Sequence, residues 1–525
     1  MAESRPQYYE NPLTPLVVNP ATLGESLHEL RTAIRNGAKS IHANAPMPDT
    51  WGLNGMFKGF PGIALALLRL DYQSPVLIEE VEGPPDYRQF ALQRIPSSLP
   101  EAPLLPSRLS PIGSSSPLTA VLLRFLATMA KANWKDGTSP GIASEDIDIM
   151  QEAMKLALAN GPLVAHDGRR MGGDDMLFGR PGLLWMLLNI RAYRFNEETQ
   201  KALLPIMQSI PQLLDMIIDA GRQGSKDYTE KHGEQEAHPL MYAWMEGYYF
   251  FGAVHGITGI LSILLSCTQE ELAPYLPVIG ETVTALCKLS IENNGHLPMA
   301  LPPFSYGQAS EFVQLCHGSP GLLILLAAAL KNGPLTQEYW CPEWDQAIYL
   351  ATGRIWEEGL LSKGGSLCHG IAGNGWPWLL LHDSFEYHSK DIDRARQNYL
   401  QRNQVAAIPD TDLSQKLTPD FFLSRALAFM LHARETRPYN TSPSSGGRDY
   451  RMPDDPYSMF EGLAGNVCAW ADTCATLQAR LRQHELSEQG LLSVSTLETD
   501  AVFQDAMRSQ LGFPVIGGNG ARGVF

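Results

Sequence analysis

A short phrase, Gly-x-x-Gly followed by an apolar run, recurs along the chain: GFPGIALALL at Gly59, GRPGLLWMLL at Gly179, GITGILSILL at Gly256, GSPGLLILLA at Gly318, GIAGNGWPWL at Gly370 and GLAGNVCAWA at Gly462. A seventh copy, GSSSPLTAVLLRFL at Gly113, keeps the first glycine and has Ser116 in place of the second. A chain that repeats one helix-start signal, with room for two helices between copies, is constrained to an array of helical hairpins. The runs LLWMLLNIRAYRF and TAVLLRFLATMAKA exceed the usual length of a strand and lack strict alternation, so the predicted class is all-α. Paired glycines at a helix start let backbone approach closely and leave amide donors unobstructed; close helix packing alone also accounts for them.

Polar, Pro-rich or Ser-rich segments separate the copies, near 80–112, 220–240 and 403–457. The same repeat resumes after each, so they read as surface insertions within one domain spanning residues 1–525. Closing the seven hairpins into a ring buries the faces that an open array would have to cap. The 44% apolar content is ample for such a core.

The formal charge of −16 opposes nucleic acid and anionic lipid, and no run of Lys and Arg overrides it. The start, MAESRPQYYENP, has neither the basic flank nor the apolar stretch of a signal peptide. Apolar runs such as GLLILLAAAL are too short to cross a bilayer, which leaves only peripheral association with a membrane open. Seven cysteines scattered through the chain fit a reducing compartment, and the expected location is the cytosol.

Aligning the copies on the first glycine and stepping back one residue gives Lys58, Ile112, Phe178, His255, His317, His369 and Glu461; one further back come Phe57, Pro111, Leu177, Val254, Cys316, Cys368 and Phe460. Equivalent positions of a ring face a common axis, so Cys316, Cys368, His369 and His255 are expected to meet. Two thiolates and one neutral imidazole suit Zn²⁺ with a fourth position open, the pattern of a catalytic site. Such a zinc carries no net charge and suits an incoming thiol, whose pKa it lowers, better than it suits water. Sulfur addition to an activated alkene is the natural reaction. The enolate that results must gain a proton, and His255 is the candidate general acid. Asp175 either orients a histidine, shares the proton work or caps a helix start, and His317 either steers the substrate or supports a ligand. His255 itself could instead bond to backbone at a helix start.

The phrases CHGSPG and CHGIAGN, with PLMYAWMEGYYFFGAVHG and the final SMFEGLAGN, resemble the lanthionine synthetase C-like family over nearly the whole chain. The resemblance implies an α/α toroid of seven helical hairpins with Zn²⁺ held by Cys316, Cys368 and His369. Bacterial members cyclise peptides by adding Cys thiols to dehydrated Ser and Thr; eukaryotic members bind glutathione and add it to dehydroamino acids in damaged proteins. The longer motifs are similar to the eukaryotic branch. Phe312 stands where bacterial members carry an Arg, which argues against a peptide cyclase. Lys363 matches a glutathione-contacting Lys of the eukaryotic branch and Arg5 matches an Arg of the same site, although Lys363 also fits a solvated loop. The implied partners are glutathione and peptides or proteins that contain dehydroalanine or dehydrobutyrine.

Two other functions compete with this enzyme. One is a catalytically silent zinc- and glutathione-binding regulator, a class in which some plant and fungal relatives have been described as abscisic acid receptors; no chemistry of these residues supports that ligand. The other is a glycosidase using Asp175 and Glu461 as opposed carboxylates, in which the paired cysteines would have no work.

Overall fold

The computed structural model describes residues 5–78, 85–132, 138–139, 141–303, 312–408, 411–442 and 446–518. Of the stretches expected to be insertions, residues 80–84, 409–410 and 443–445 lie outside the described residues.

Seven inner helices follow the repeat: Phe60–Tyr72, Leu118–Lys131, Arg180–Arg191, Ile257–Leu264, Ser319–Lys331, Ile371–Tyr387 and Leu463–Glu488. In six of them the first glycine of the phrase is the N-cap and the helix begins at the next residue. The second glycine then lies under a loop that folds back over the helix start. A Cβ at Gly373 would come 1.8 Å from the Leu367 carbonyl oxygen, and one at Gly259 would come 1.8 Å from that of Ala253. Any side chain there would push the loop off its helix. The Gly113 copy differs, because its helix starts at Leu118 behind Pro117, several residues later than in the other six copies. Pro fixes its own φ and has no N–H to donate, which suits it to open a helix where the second glycine is missing.

Most residues of each inner helix are buried, as expected where a helix packs on several sides. Helix 60–72 packs on 118–131 and on 463–488; 257–264 lies between 180–191 and 319–331; and 371–387 lies between 319–331 and 463–488. The loops ahead of helices 118–131 and 180–191 join through Ser110 Oγ donating to the Met176 carbonyl at 2.7 Å. The ring is therefore closed, the α/α toroid. Amphipathic outer helices cover it. Pro20–Asn44, for example, turns Leu23, Leu27, Leu30, Ile34 and Ile41 toward helix 463–488.

The loops ahead of the inner helices form a second, smaller ring. Backbone amides donate from Phe57 to Ile112 (2.8 Å), Gly113 to Leu177 (2.8 Å), Ala253 to Leu315 (3.1 Å), Cys316 to Cys368 (3.3 Å), Cys368 to Phe460 (2.8 Å) and Phe460 to Phe57 (3.3 Å). This belt turns equivalent repeat positions into spatial neighbours.

Three features depart from the sequence reading. A five-stranded antiparallel sheet forms from 163–166, 169–172, 243–245, 248–250 and 300–301. Residues 220–232, expected in an insertion, are the second half of helix Ile210–His232, which buries Gly221, Gly224 and Tyr228, and the stretch 403–457, also expected to be a surface insertion, contains helix Pro419–His432, which buries Phe422, Leu423, Leu427 and Phe429 and packs on helix 371–387. The C-terminal segment buries Leu511, Phe513, Val515 and Ile516 inside the ring. Asp472 of helix 463–488 accepts from the Leu511 and Gly512 amides at 3.0 and 2.7 Å, Arg69 of helix 60–72 donates to the Gly512 carbonyl at 2.6 Å, and Phe513 packs on Trp376 with centroids 4.9 Å apart. No helix among the described residues is long and apolar enough to cross a membrane.

Candidate functional site

The belt of loops brings the two Cys-His phrases together. Because the Cys316 amide donates to the Cys368 carbonyl, the two thiols hang from adjacent segments, and a ligand atom from each of Cys316, Cys368 and His369 lies within 4.8 Å of the others. Both cysteines are buried and His369 is partly open to solvent. The Cys316 thiol is held well below a free thiol, first by the hydrogen bond from Cys368 and then by His369, against burial. That same hydrogen bond, together with burial, pushes the Cys368 thiol well up. The pocket by itself thus stabilises one thiolate, and a second needs a cation beside it. Two sulfurs and an imidazole that crowd together with one side open fit Zn²⁺.

His255 lies at the same repeat offset, further round the belt. Its Nδ1 is 2.7 Å from Asp175 Oδ2, while Asp175 Oδ1 accepts from the Phe178 amide at 3.0 Å. Among the described residues this side-chain pair is what joins the third loop of the belt to the fourth. The tilted ring of Trp244 lies 4.7 Å from His255, centroid to centroid. His317 stands between His255 and the cluster, its centroid 6.4 Å from that of His255 and its chain neighbour being Cys316. Its Nδ1 is buried without a hydrogen-bond partner among the described residues, and burial lowers its pKa. The order round the belt is therefore Asp175, His255, His317 and then the cluster.

Glu461 completes the far side differently. It forms an ion pair with Lys58 at 2.8 Å, while Phe57 and Phe460 stack at 4.5 Å. Asp175 is bonded to His255 and Glu461 is paired with Lys58, and a glycosidase pair would leave the adjoining cysteine cluster without work.

Lys363 and Arg5 line one cleft of about 1050 Å³, together with Phe312, Gln314, Asp449 and Arg451. Backbone bonds assemble it: the Tyr9 amide donates to Leu360, Ser362 to Gln7 and Arg451 to Ser362 at 2.9 to 3.1 Å, so the N-terminal segment and residues 449–451 flank the loop before Cys368. Arg5 pairs with Asp449 and Arg451 with Asp454, whereas Lys363 has no ion pair among the described residues. Lys363 also lines a small pocket with His369, which connects the cleft to the cluster. Gln314 Oε1 lies 3.4 Å from Cys316 Sγ and links them again. Sequence reasoning missed Arg451 and Asp449, which it placed in an insertion. The density of charge in GGRDYRMPDDP was the available signal.

The chain is 27% identical over 467 residues to a Danio rerio protein named glutathione S-transferase LANCL1, covering 87% of this chain and 90% of that one. It is 26% identical over 316 residues to the LanC-like protein GCL1 of Arabidopsis thaliana, covering 59% and 58%. Nisin cyclase, a solved structure, aligns at 15% identity and a TM-score of 0.39 over 79% of this chain and 98% of its own, too distant a likeness to add to the fold described above. The family model for lanthionine synthetase C-like proteins matches residues 134–418, more than half of the chain, and with the repeat and the paired Cys-His phrases this makes the chain a member of that family.

Proposed function

We propose that this chain is a cytoplasmic enzyme that adds the thiol of glutathione to dehydroalanine or dehydrobutyrine residues of peptides or proteins. The observation that carries the reading is the convergence of the Cys316, Cys368 and His369 cluster with a cationic cleft on one side and the Asp175–His255 pair on the other. The name of the Danio rerio relative supports glutathione as the thiol donor.

Zn²⁺ bound by Cys316, Cys368 and His369 would supply ionisation of the incoming thiol at neutral pH. Lys363 and Arg5 would hold the glutathione carboxylates by charge-assisted hydrogen bonds, which places the sulfur end toward His369. The glutathione sulfur forms a bond to the β-carbon, and the alkene π pair moves toward the α-carbon and its carbonyl. His255 delivers a proton to the α-carbon, and the proton released by the thiol restores the ring. Asp175, bonded to Nδ1, fixes the tautomer and leaves Nε2 for that transfer. His317 stands where it would steer the acceptor between His255 and the sulfur.

Mass spectrometry of a dehydroalanine peptide incubated with the protein, zinc and glutathione tests the reading, and the expected product gains one glutathione. A protein that binds zinc and glutathione but yields no adduct with dehydroalanine or dehydrobutyrine peptides would overturn it in favour of the regulatory binder.

A further inference from the structure

A second cavity, of about 280 Å³, lies between helix Ile210–His232 and the strands 243–245 and 248–250. We infer that it binds a free α-amino acid with a polar side chain, with the zwitterionic end at the mouth and the side chain inward. Asp174 lines this cavity while its neighbour Asp175 bonds to His255, so the site is separate from the thiol-transfer site.

The mouth is formed by Asp227 and Lys231, exposed side chains one helical turn apart. Opposite charges at this spacing ordinarily close on each other. On the same helix Lys226 does meet Glu230, at 3.9 Å, and Arg222 meets Asp219 at 3.0 Å. Asp227 and Lys231 form no ion pair among the described residues; Asp227 accepts only the Gln223 amide, at 2.7 Å. Held more than 4.0 Å apart beside a cavity, they present one anion and one cation that the ammonium and carboxylate of a single amino acid complement.

Further in, one polar group of a mixed lining lacks a partner. Tyr242 is 2% exposed, and its hydroxyl has no hydrogen-bond partner among the described residues. Buried hydroxyls are normally bonded, so this one calls for an incoming donor or acceptor. The other charges here are already neutralised: Asp174 by Arg180, with Nε to Oδ1 at 2.7 Å, and Glu246 by Arg170 at 2.7 Å. The ligand must therefore be neutral overall, carry both charges at one end and a polar group at the other. The volume limits it to the size of a single amino acid.

Calorimetry and thermal unfolding of the full-length protein with each of the common free amino acids test the inference. Saturable binding and a raised Tm are expected for a subset with polar side chains, and not for their methyl esters, which lack the carboxylate. Lys231→Ala, at an exposed position that the fold does not need, should weaken binding at least tenfold. Tyr242→Phe should weaken it about tenfold without lowering the Tm of the ligand-free protein. No binding by any amino acid, or binding that survives Lys231→Ala and Asp227→Asn together, would overturn the inference. Adduct formation is measured separately, so failure here leaves the proposed thiol transfer standing.

Discussion

Asp175 uses both of its oxygens, one for the Phe178 amide at 3.0 Å and one for His255 Nδ1 at 2.7 Å, and it is 2% exposed. Asp175→Asn preserves the shape, removes the charge and leaves one acceptor for two donors. If the amide oxygen stays with Phe178, the new NH₂ faces Nδ1 and the imidazole must take the other tautomer, with its proton on Nε2 and its lone pair toward position 175. The cost to a protonated His255 follows from Coulomb's law: unit charges roughly 4 Å apart at an effective dielectric of about 20 interact by about 4 kcal/mol. Allowing for relaxation, turnover on a dehydroalanine peptide should fall about 10²- to 10³-fold, within the range for lost acid–base catalysis. The assay is the rate of adduct formation by mass spectrometry at saturating glutathione, with zinc content and glutathione affinity measured on the same sample. Because the pair also joins two loops of the belt, chemical denaturation is needed alongside. A purely structural role would lower stability and leave turnover per folded molecule unchanged. Turnover within threefold of wild type would refute the reasoning.

Cys368→Ala should strip zinc, read by elemental analysis under reducing conditions, while the helical circular dichroism signal persists, because the two cysteines of the cluster are a small part of the apolar core that holds the inner helices. Loss of helix in step with metal would instead make the zinc structural. Lys363→Ala should weaken glutathione binding roughly 10- to 100-fold and keep zinc in place, and the wild-type affinity should fall with added salt; an unchanged, salt-insensitive affinity would remove the contact. Phe513→Ala should destabilise the fold by about 3–5 kcal/mol in urea titration, since the ring is fully buried against Trp376; a loss under 1 kcal/mol would show that the tail does not fill the toroid. Burial pushes His238 down to about 4, below the ordinary 6.5, so the unfolded chain binds the extra proton between those values. Stability is full above pH 6.5 and should fall by up to about 3 kcal/mol as the pH drops toward 4; His238→Phe should flatten that slope.

The ring was legible in the sequence because its signal is backbone geometry written in residue type: only glycine fits where a Cβ would strike the loop carbonyl six residues earlier. The same alignment put Cys316, Cys368, His369 and His255 at equivalent offsets, and the belt of amide bonds turns that offset into proximity. The sheet was not legible. Its strands are two to four residues long, below the length at which alternation is visible, and two of the five lie in PLMYAWMEGYYFF, whose aromatic density reads equally well as a core. Helix 210–232 was half missed for the converse reason. Its buried face beyond residue 218 is carried by Ala220, Gly221, Gly224 and Tyr228, which leave little apolar periodicity to detect.

The C-terminal segment escaped for a deeper reason, and it shows how the molecule divides its work. LGFPVIGG has no period, because its burial is set by what receives it: the Asp472 carboxylate, the Arg69 guanidinium and the face of Trp376, which come from three different inner helices. These groups lie within the helices, whereas Cys316, Cys368, His369, His255 and Asp175 all lie in the loops ahead of them. Substitution among the receiving groups should therefore register as stability. Substitution in the belt should register as metal affinity or rate, because a loop held by its neighbours' amides keeps its path when a side chain is trimmed. Phe460 is where the two halves touch. Its carbonyl accepts the Cys368 amide at 2.8 Å and its ring lies 6.5 Å from that of Phe513, so the packing of the tail reaches the Cys316, Cys368 and His369 cluster through one residue.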